Sequence, residues 1–406
     1  MIWRAWRQDA IPTVSLLLIL AGLLSQHVTV AAIGAFFWGL AYLSSYLARR
    51  TLTQISVTAR LGDLHAELNE RVSTEMVVQN PLPWPILDVQ WKIELPQSVS
   101  PEGPGTAVVA PGGTRQTLSG TLWVGARQRV RIQYSLAGRE RGRWNIGPGA
   151  LIFHDPLSWN ELIREDSYLS YFTVWPRLFT LPANFWSQNP ELGNLTGNPW
   201  DPPDPLRVAS IRPYQPGDPI RHVAPYASAR MARLMVKQLE PTAQRSVEIL
   251  IHPKTTEAHW LGIDRVLLED TISLAATVAE SSVNRGLVTG LSGSGSLPGH
   301  IRGFSLPAAA RADATELLTA LAWLQPSGTM DDDLPHVLAR IERRLTRSTT
   351  LVVVSPYWSD DLTARLAARV RRGLRVVFLT MGAVNPILPA WLHDYWHYDQ
   401  GGWRHA

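Results

Sequence analysis

Two apolar segments near the N-terminus constrain the fold of this chain more than any other feature. Residues 10–24 are almost entirely apolar, and residues 28–47 contain no charged side chain. At 1.5 Å per residue the second segment spans about 30 Å, which matches the hydrocarbon core of a bilayer. Only residues 25–27 separate the two segments. The sequence therefore predicts a transmembrane helical hairpin over residues 1–50, in contact with lipid through residues 10–47.

Cations flank this hairpin on one side of the membrane only. Arg4 and Arg7 precede it, Arg49 and Arg50 follow it, and the connecting turn carries none. The positive-inside rule then predicts a multi-pass protein of the inner (cytoplasmic) membrane, with its soluble domains facing the cytoplasm. A cleaved signal peptide ending near residues 30–32 is the alternative, but the second apolar segment argues against it.

Composition excludes several classes of site. The chain has no cysteine, which rules out disulfide scaffolds, thiolate zinc sites, iron–sulfur centres and cysteine nucleophiles. Its net charge is only +4 over 406 residues, so we expect no nucleic-acid partner.

Residues 56–182 show the pattern of an antiparallel β-sandwich. Polar and apolar side chains alternate in residues 89–95 and again in residues 129–136, as half-buried strands require. Turns rich in proline and glycine separate these strands at short spacing.

The second half of the chain alternates strands with helices. Residues 246–395 therefore predict a doubly wound α/β domain with a mostly parallel sheet, including a helix over residues 308–323. Residues 183–245 are assigned to a linker, which includes a loop at 189–205 rich in proline, asparagine and glycine. Residues 396–406 are assigned to an exposed tail rich in histidine and aromatic residues.

The linker contains the most distinctive motif of the chain, Arg-x-Tyr-x-x-Gly-Asp-x-x-Arg followed by Ser-Ala-Arg. Together with the hairpin, it resembles the bacterial membrane proteins grouped as "domain of unknown function 58". That resemblance implies a von Willebrand factor A-like C-terminal domain, a MoxR-type AAA ATPase as partner, and no established enzymatic activity. Pro225 stands where the family usually has tryptophan. The motif residues are Arg212, Tyr214, Gly217, Asp218, Arg221, Ser228 and Arg230.

Two interpretations of this motif are open. In the structural one, Asp218 accepts hydrogen bonds from one or two arginines and Tyr214 packs over the junction with the α/β domain. In the functional one, Arg221, Arg230 and Arg233 point outward and bind an anion or a protein partner.

The end of the first α/β strand is where metal-binding von Willebrand A domains place Asp-x-Ser-x-Ser. Here the matching positions hold His252, Lys254 and Thr256, so a cation and an imidazole replace oxygen ligands. We therefore expect no magnesium site of that type and no cofactor.

Three other segments resemble sites. His393 and His397 would share a helix face as zinc ligands, with Asp394 as base and His405 as a third ligand. Residues 331–333 are three aspartates, which capping of the following helix explains. Residues 290–295 resemble a phosphate loop but lack its Gly-Lys-Ser/Thr ending, and are expected to be a flexible connection.

No catalytic constellation is complete, so the sequence favours a non-enzymatic, membrane-anchored scaffold or adaptor. A metal-dependent hydrolase that uses His393 and His397 is one alternative. An envelope binding protein that faces outward is the other.

Overall fold

The chain forms two compact units, Met1–Trp175 and Pro176–Ala406. A computed structural model describes residues 2–59, 64–109, 113–154, 161–166, 170–186, 203–241, 246–256, 262–300, 303–309, 313–326, 334–346, 348–356, 358, 360–382, 388–399 and 402–405. The three aspartates at 331–333 and most of the predicted loop at 189–205 lie outside these ranges.

The first unit begins with the predicted helical hairpin, made of α1 (Ile2–Leu24) and α2 (Val28–Gln54). Among the described residues, α2 is the one helix long and apolar enough to cross a membrane, and the apolar part of α1, Ile11–Leu24, is shorter. Leucine and aromatic side chains such as Leu23 and Phe36 are exposed on the outer surface of the hairpin. Apolar side chains on an exterior surface suit a lipid environment.

Glycines let the two helices approach closely. A Cβ atom added at Gly34 would lie 2.8 Å from the backbone nitrogen of Ile19 and 2.9 Å from the carbonyl oxygen of Ser15. At Gly22 the same atom would lie 2.4 Å from the backbone nitrogen of Ala31. Small residues at such contacts are typical of helix pairs in membranes, where close packing supplies the association energy.

Helix α2 extends past the predicted hairpin end at residue 50 and joins the β region directly. Ile55, which caps the helix, belongs to the β-sandwich core and is 1% exposed. The indole nitrogen of Trp84 donates a hydrogen bond to the Thr51 hydroxyl at 3.3 Å, and the Arg164 guanidinium donates one to the Ile55 carbonyl. The helix and the sandwich are therefore joined by packing and hydrogen bonds, without an intervening linker.

The β region confirms the predicted antiparallel sheets. The strands are β1 (Ser56–Ala59), β2 (Leu64–Ala66), β3 (Arg71–Gln79), β4 (Ile86–Pro96), β5 (Val99–Glu102), β6 (Thr106–Val109), β7 (Arg115–Val124), β8 (Arg129–Gly138), β9 (Gly142–Ile146), β10 (Gly149–His154), β11 (Glu161–Asp166) and β12 (Ser170–Val174). They form sheets of four strands (order β1-β3-β8-β5), five strands (β11-β10-β4-β7-β6) and three strands (β2-β12-β9). Within the described part of this region, β2 and β12 are the one parallel pair. Met76, Trp91 and Phe172, one from each sheet, share a single core.

The second unit contains a two-stranded ribbon and the predicted α/β sheet. The ribbon pairs β13 (Pro203–Pro213) with β14 (Met235–Pro241), and α3 (Pro225–Met231) lies in the loop between them. The α/β elements are β15 (Ser246–Ile251), α4 (Arg265–Asn284), β16 (Val288–Gly293), β17 (Phe304–Ala309), α5 (Ala314–Trp323), α6 (Leu334–Ile341), β18 (Thr349–Val354), α7 (Asp360–Val370), β19 (Arg375–Met381), β20 (Asp394–Asp399) and β21 (Gly402–His405).

The seven-stranded sheet has the order β17-β16-β15-β18-β19-β20-β21 and is parallel except at its two edges. Leu250, Val353 and Phe378 point to one face and pack with α6 and α7, while α4 covers the other face. The chain leaves β15 toward β16 on one side and returns through β18 on the other. The carboxyl ends of β15 and β18 therefore flank the position where ligands bind in many α/β proteins.

Three sequence predictions in this unit are wrong. Residues 304–309 form the edge strand β17, and the helix predicted from residue 308 begins at Ala314, capped by the Asp313 carboxylate. The flexible connection expected from residue 290 is still buried strand as far as Gly293. The residues assigned to an exposed tail form much of β20 and β21, because their aromatic side chains pack onto the end of the sheet.

Candidate functional site

Residues 214–234, which we call the signature loop, connect β13 to β14, and the two ends of the loop are hydrogen-bonded to each other. At its base Pro213 pairs with Met235, and the Tyr214 amide donates to the Leu234 carbonyl at 2.9 Å. The loop contains a 3₁₀ turn at Ile220–His222 and helix α3, which starts at Pro225. Proline in the first turn of a helix removes an amide that would have no partner there.

An ion pair fixes the first turn of the loop. The Arg212 guanidinium binds the Asp218 carboxylate through two hydrogen bonds of 2.6 and 2.8 Å. The Gln215 amide also donates to Asp218 at 2.9 Å, and Gly217 has a φ of 106°, as a type II turn with proline followed by glycine requires. The hydrogen bonds from Arg212 lower the pKa of Asp218 and in turn raise the pKa of Arg212.

Ser228 fixes the second half of the loop. Its hydroxyl accepts a hydrogen bond from the Met235 amide at 2.9 Å and donates one to the Ala224 carbonyl at 2.8 Å. The Ala224 amide in turn donates to the Met235 carbonyl at 2.8 Å. Helix α3 is therefore held against the start of β14.

The remaining motif residues face outward. Arg221 and Arg230 are exposed, as is Arg233, and the side chain of Tyr214 is 36% exposed. The hydrogen bonds of Asp218 connect residues of the ribbon and its loop to each other. The structural interpretation places this clamp between the linker and the α/β domain, so the observed clamp is more local. Arg212, Asp218 and Ser228 therefore shape the loop, whereas the other arginines lie on its surface.

The positions that correspond to the metal site of von Willebrand A domains lie at the carboxyl end of β15. His252 is buried, and its Nδ1 lies 2.6 Å from the Ser294 hydroxyl. The Thr256 hydroxyl donates to the Gly262 carbonyl at 2.8 Å, and Thr255 accepts from the Asp264 amide at 2.9 Å. Over the described parts of the chain, no group of three or more histidine, aspartate or glutamate side chains could hold a metal ion.

Residues 210–381 match the family described as "Protein of unknown function DUF58". The match begins inside β13, includes the signature loop and ends with the last residue of β19. The chain carries a DUF58 domain. The resemblance based on the signature motif is therefore confirmed.

No curated protein matches this chain in sequence. Three solved structures are similar to parts of it. An alkylpurine DNA glycosylase, AlkC, from Pseudomonas fluorescens is 12% identical over 36% of this chain and 38% of its own length, with a TM-score of 0.19. A CARDB domain from Pyrococcus furiosus is 12% identical over 30% of this chain and 92% of its own length, with a TM-score of 0.19. A non-cellulosomal cohesin from Archaeoglobus fulgidus is 11% identical over 30% and 90%, with a TM-score of 0.21. This chain therefore spans well under half of the glycosylase, and nothing about function follows from these TM-scores.

The zinc-hydrolase pattern rested on a helix that is absent at this position. His393 precedes β20 and His397 lies within it, so the two histidines are separated by extended backbone. Side chains at i and i+4 are about 13 Å apart along a strand at 3.3 Å per residue, which is too far for one zinc ion. Asp394 binds Arg375 at 2.6 Å, and His405 lies 3.7 Å from Asp394.

Sequence reasoning missed a buried polar network in the DUF58 domain. Glu248 in β15 is 2% exposed and accepts a hydrogen bond of 2.5 Å from the Ser292 hydroxyl. Ser292 contacts the Ser305 hydroxyl at 2.8 Å, and Arg344 donates to Ser305 at 2.6 Å. Because the single proton of Ser292 goes to Glu248, Ser305 must donate to Ser292. Two hydroxyls thus connect the guanidinium to the carboxylate.

Burial raises the pKa of Glu248, while the Ser292 hydrogen bond and the charge of Arg344 oppose that shift. The carboxylate occupies space left by Gly290, where an added Cβ would lie 2.2 Å from its Oε2. The signal available in the sequence was a lone glutamate inside the apolar strand at 246–251, opposite a strand containing glycine and serine.

Proposed function

We propose that this protein is a non-enzymatic, membrane-anchored scaffold that holds its DUF58 domain at the cytoplasmic face of the inner membrane. Residues 10–47 cross the bilayer twice, and the domain works with a MoxR-type AAA ATPase in protein-complex assembly or an envelope-related process. The von Willebrand A-like character of the domain and the ATPase partner are both taken from the family resemblance.

The observation that carries the proposal is the continuity between α2 and the β-sandwich. The contacts of Thr51 and Ile55 join the end of α2 to the sandwich core. A displacement of the membrane helix would therefore move the β-sandwich with it. An enzyme that only needs retention at a membrane does not require such a junction. A scaffold that positions a partner does.

The motif residues of the DUF58 domain also favour a role in binding a partner over a role in catalysis. Asp218 and Ser228, the groups most suited to acid–base or nucleophilic roles, are engaged in hydrogen bonds that shape the loop. A general base or nucleophile must instead lie within reach of a substrate.

Affinity purification of the full chain from gently solubilised membranes tests the partner. We expect an AAA ATPase to be retained with a non-hydrolysable ATP analogue and to be reduced with ATP, because hydrolysis drives such ATPases off their partners. An unrelated membrane protein with a helical hairpin, purified in parallel, serves as control. Equal recovery from both baits, or no ATPase in either nucleotide state, would contradict the proposed partnership.

A further inference from the structure

The segment that contains the signature loop carries a net positive charge. Residues 212–237 contain four arginines, one lysine and a single aspartate, which gives a net charge of +4. The whole chain has 38 basic and 34 acidic residues, also a net of +4, so the charges of the remaining residues sum to zero. The one aspartate, Asp218, is bound by Arg212. The segment therefore faces outward as an almost purely cationic surface through Arg221, Arg230, Arg233 and Lys237.

Large apolar side chains lie among these cations. Tyr226 is 95% exposed and Ile220 is 83% exposed, and Met231 and Leu234 are each 57% exposed. Tyr226 and Arg230 are four residues apart in α3, so they share one face of the helix. Exposed aromatic and aliphatic side chains interspersed with arginine are typical of segments that lie at a membrane interface.

The loop holds these side chains in place in advance of any contact. The Arg212–Asp218 pair and the Ser228 hydroxyl fix its two halves, so Ile220 and Tyr226 protrude from an ordered backbone. A preformed surface loses little conformational entropy on binding.

We infer that the signature loop docks onto the anionic surface of the bilayer that the hairpin spans. Arg221, Arg230 and Arg233 contact lipid phosphates, while Tyr226 and Ile220 enter the headgroup region. This rests on the proposed function only in requiring that the hairpin anchors the chain. Each cation near an anionic leaflet raises affinity about fivefold. An acidic protein would satisfy the same charges, but the hairpin already keeps the bilayer surface at a high effective concentration.

The natural absence of cysteine makes a direct test possible with the full-length chain. A single cysteine at exposed Ala229, between Tyr226 and Arg230, is labelled with a fluorophore, and the protein is reconstituted into vesicles that contain headgroup-spin-labelled lipid. With one-third phosphatidylglycerol in phosphatidylcholine, we expect the label to be quenched at least twofold. Pure phosphatidylcholine or high salt should abolish most of this quenching, because the contact is electrostatic.

Two controls isolate the loop. A label at Val266, which is 72% exposed in α4 of the same unit, should not be quenched. The double variant Arg230→Glu/Arg233→Glu should lose the quenching at position 229. The double variant Arg365→Glu/Arg371→Glu, which makes the same charge change at exposed positions of and after α7, should keep it.

Equal quenching at 229 and 266, or quenching at 229 that survives Arg230→Glu/Arg233→Glu, would overturn the inference. So would a label that is unaffected by lipid and shielded only when an acidic protein is added. Anchoring is measured separately by retention of the chain in the vesicles after an alkaline wash. Loss of the chain from the vesicles would contradict the proposed function. Retention of the chain without quenching would contradict only the docking of the signature loop.

Discussion

At the scale of single residues, Glu248 gives the clearest link between structure and stability. Burial raises its pKa in the folded state above the ordinary value of 4.5, so the folded protein favours the protonated form. Its contribution to stability is therefore fully present below pH 4.5 and is lost as the pH rises through the folded-state pKa. At a pH above its ordinary pKa, this group therefore destabilises the fold relative to an uncharged group of the same shape.

Glu248→Gln should accordingly raise the thermal midpoint at pH 7–8 by a few degrees and have a much smaller effect near pH 4.5, because the amide oxygen can still accept from Ser292. Thermal unfolding of both proteins across this pH range measures the difference. Glu316→Gln, an exposed carboxylate in the same unit, should show no such pH-dependent gain. A uniform loss of stability in Glu248→Gln at every pH would show instead that the charge itself is needed by Arg344.

The Arg212–Asp218 pair has the opposite pH dependence. The pKa of Asp218 is lowered by Arg212, so the ordering that the pair provides is present above the ordinary carboxyl range and is lost as pH falls through the lowered value. Asp218→Asn should therefore speed amide exchange in the signature loop severalfold at neutral pH, as measured by hydrogen–deuterium exchange.

Arg212→Gln should have the same effect, since it removes the other partner of the pair. Arg221→Gln should leave exchange unchanged, because the structure places Arg221 outside the clamp. If all three variants exchange alike, the pair does not order the loop.

At the scale of elements, the hairpin depends on a close approach that only glycine permits. A Cβ at Gly34 would meet backbone atoms of α1 that cannot rotate away, whereas one at Gly39 would meet nothing within 4 Å. Gly34→Ala should lower the free energy of unfolding by about 1–3 kcal/mol, as overpacking does elsewhere. Gly39→Ala should be neutral or stabilising, because alanine has the higher helix propensity. Thermal midpoints in detergent compare the two, and equal midpoints would mean that the helices do not pack at Gly34.

Strand β20 is a second element that is stabilised by the packing of its side chains. Trp396 is 3% exposed and lies against His405 and Phe185, with ring centroids 4.4 and 5.5 Å away. Trp396→Ala should cost about 3–5 kcal/mol, the usual range for a buried large aromatic. Trp403→Ala, at a half-buried position in β21, should cost clearly less. Denaturant unfolding followed by circular dichroism gives both values, and equal small losses would restore the exposed-tail interpretation.

At the scale of the whole molecule, the proposed topology places both ends of the hairpin in the cytoplasm and its turn outside. A single cysteine at Ser25, in the exposed turn, should react with a membrane-impermeant maleimide added to intact cells. A single cysteine at Ala229 should react only after the cells are broken. The reverse pattern would support the outward-facing envelope protein, in which the soluble units are exported.

The sequence by itself determined the hairpin, the β-then-α/β order and the DUF58 domain. Each is a local property: an uninterrupted apolar run, a period of two or of alternating elements, or a motif whose members lie within about twenty residues. The turn at Gly217 and Asp218 could be predicted for the same reason, because a Pro-Gly pair favours a turn through its own backbone preferences.

Only the tertiary structure decided which side chains meet across distant segments. Glu248 and Ser292 come together across the parallel strands β15 and β16, and Ser292 meets Ser305 across the antiparallel strands β16 and β17. Arg344 reaches Ser305 from just beyond the end of α6. His393 and His397 fit a helical period in sequence, yet residues 394–399 form strand β20, which pairs with the edge of β19. Periodicity cannot foresee either result, because pairing with a neighbouring strand depends on which edge is available once the rest of the sheet has formed.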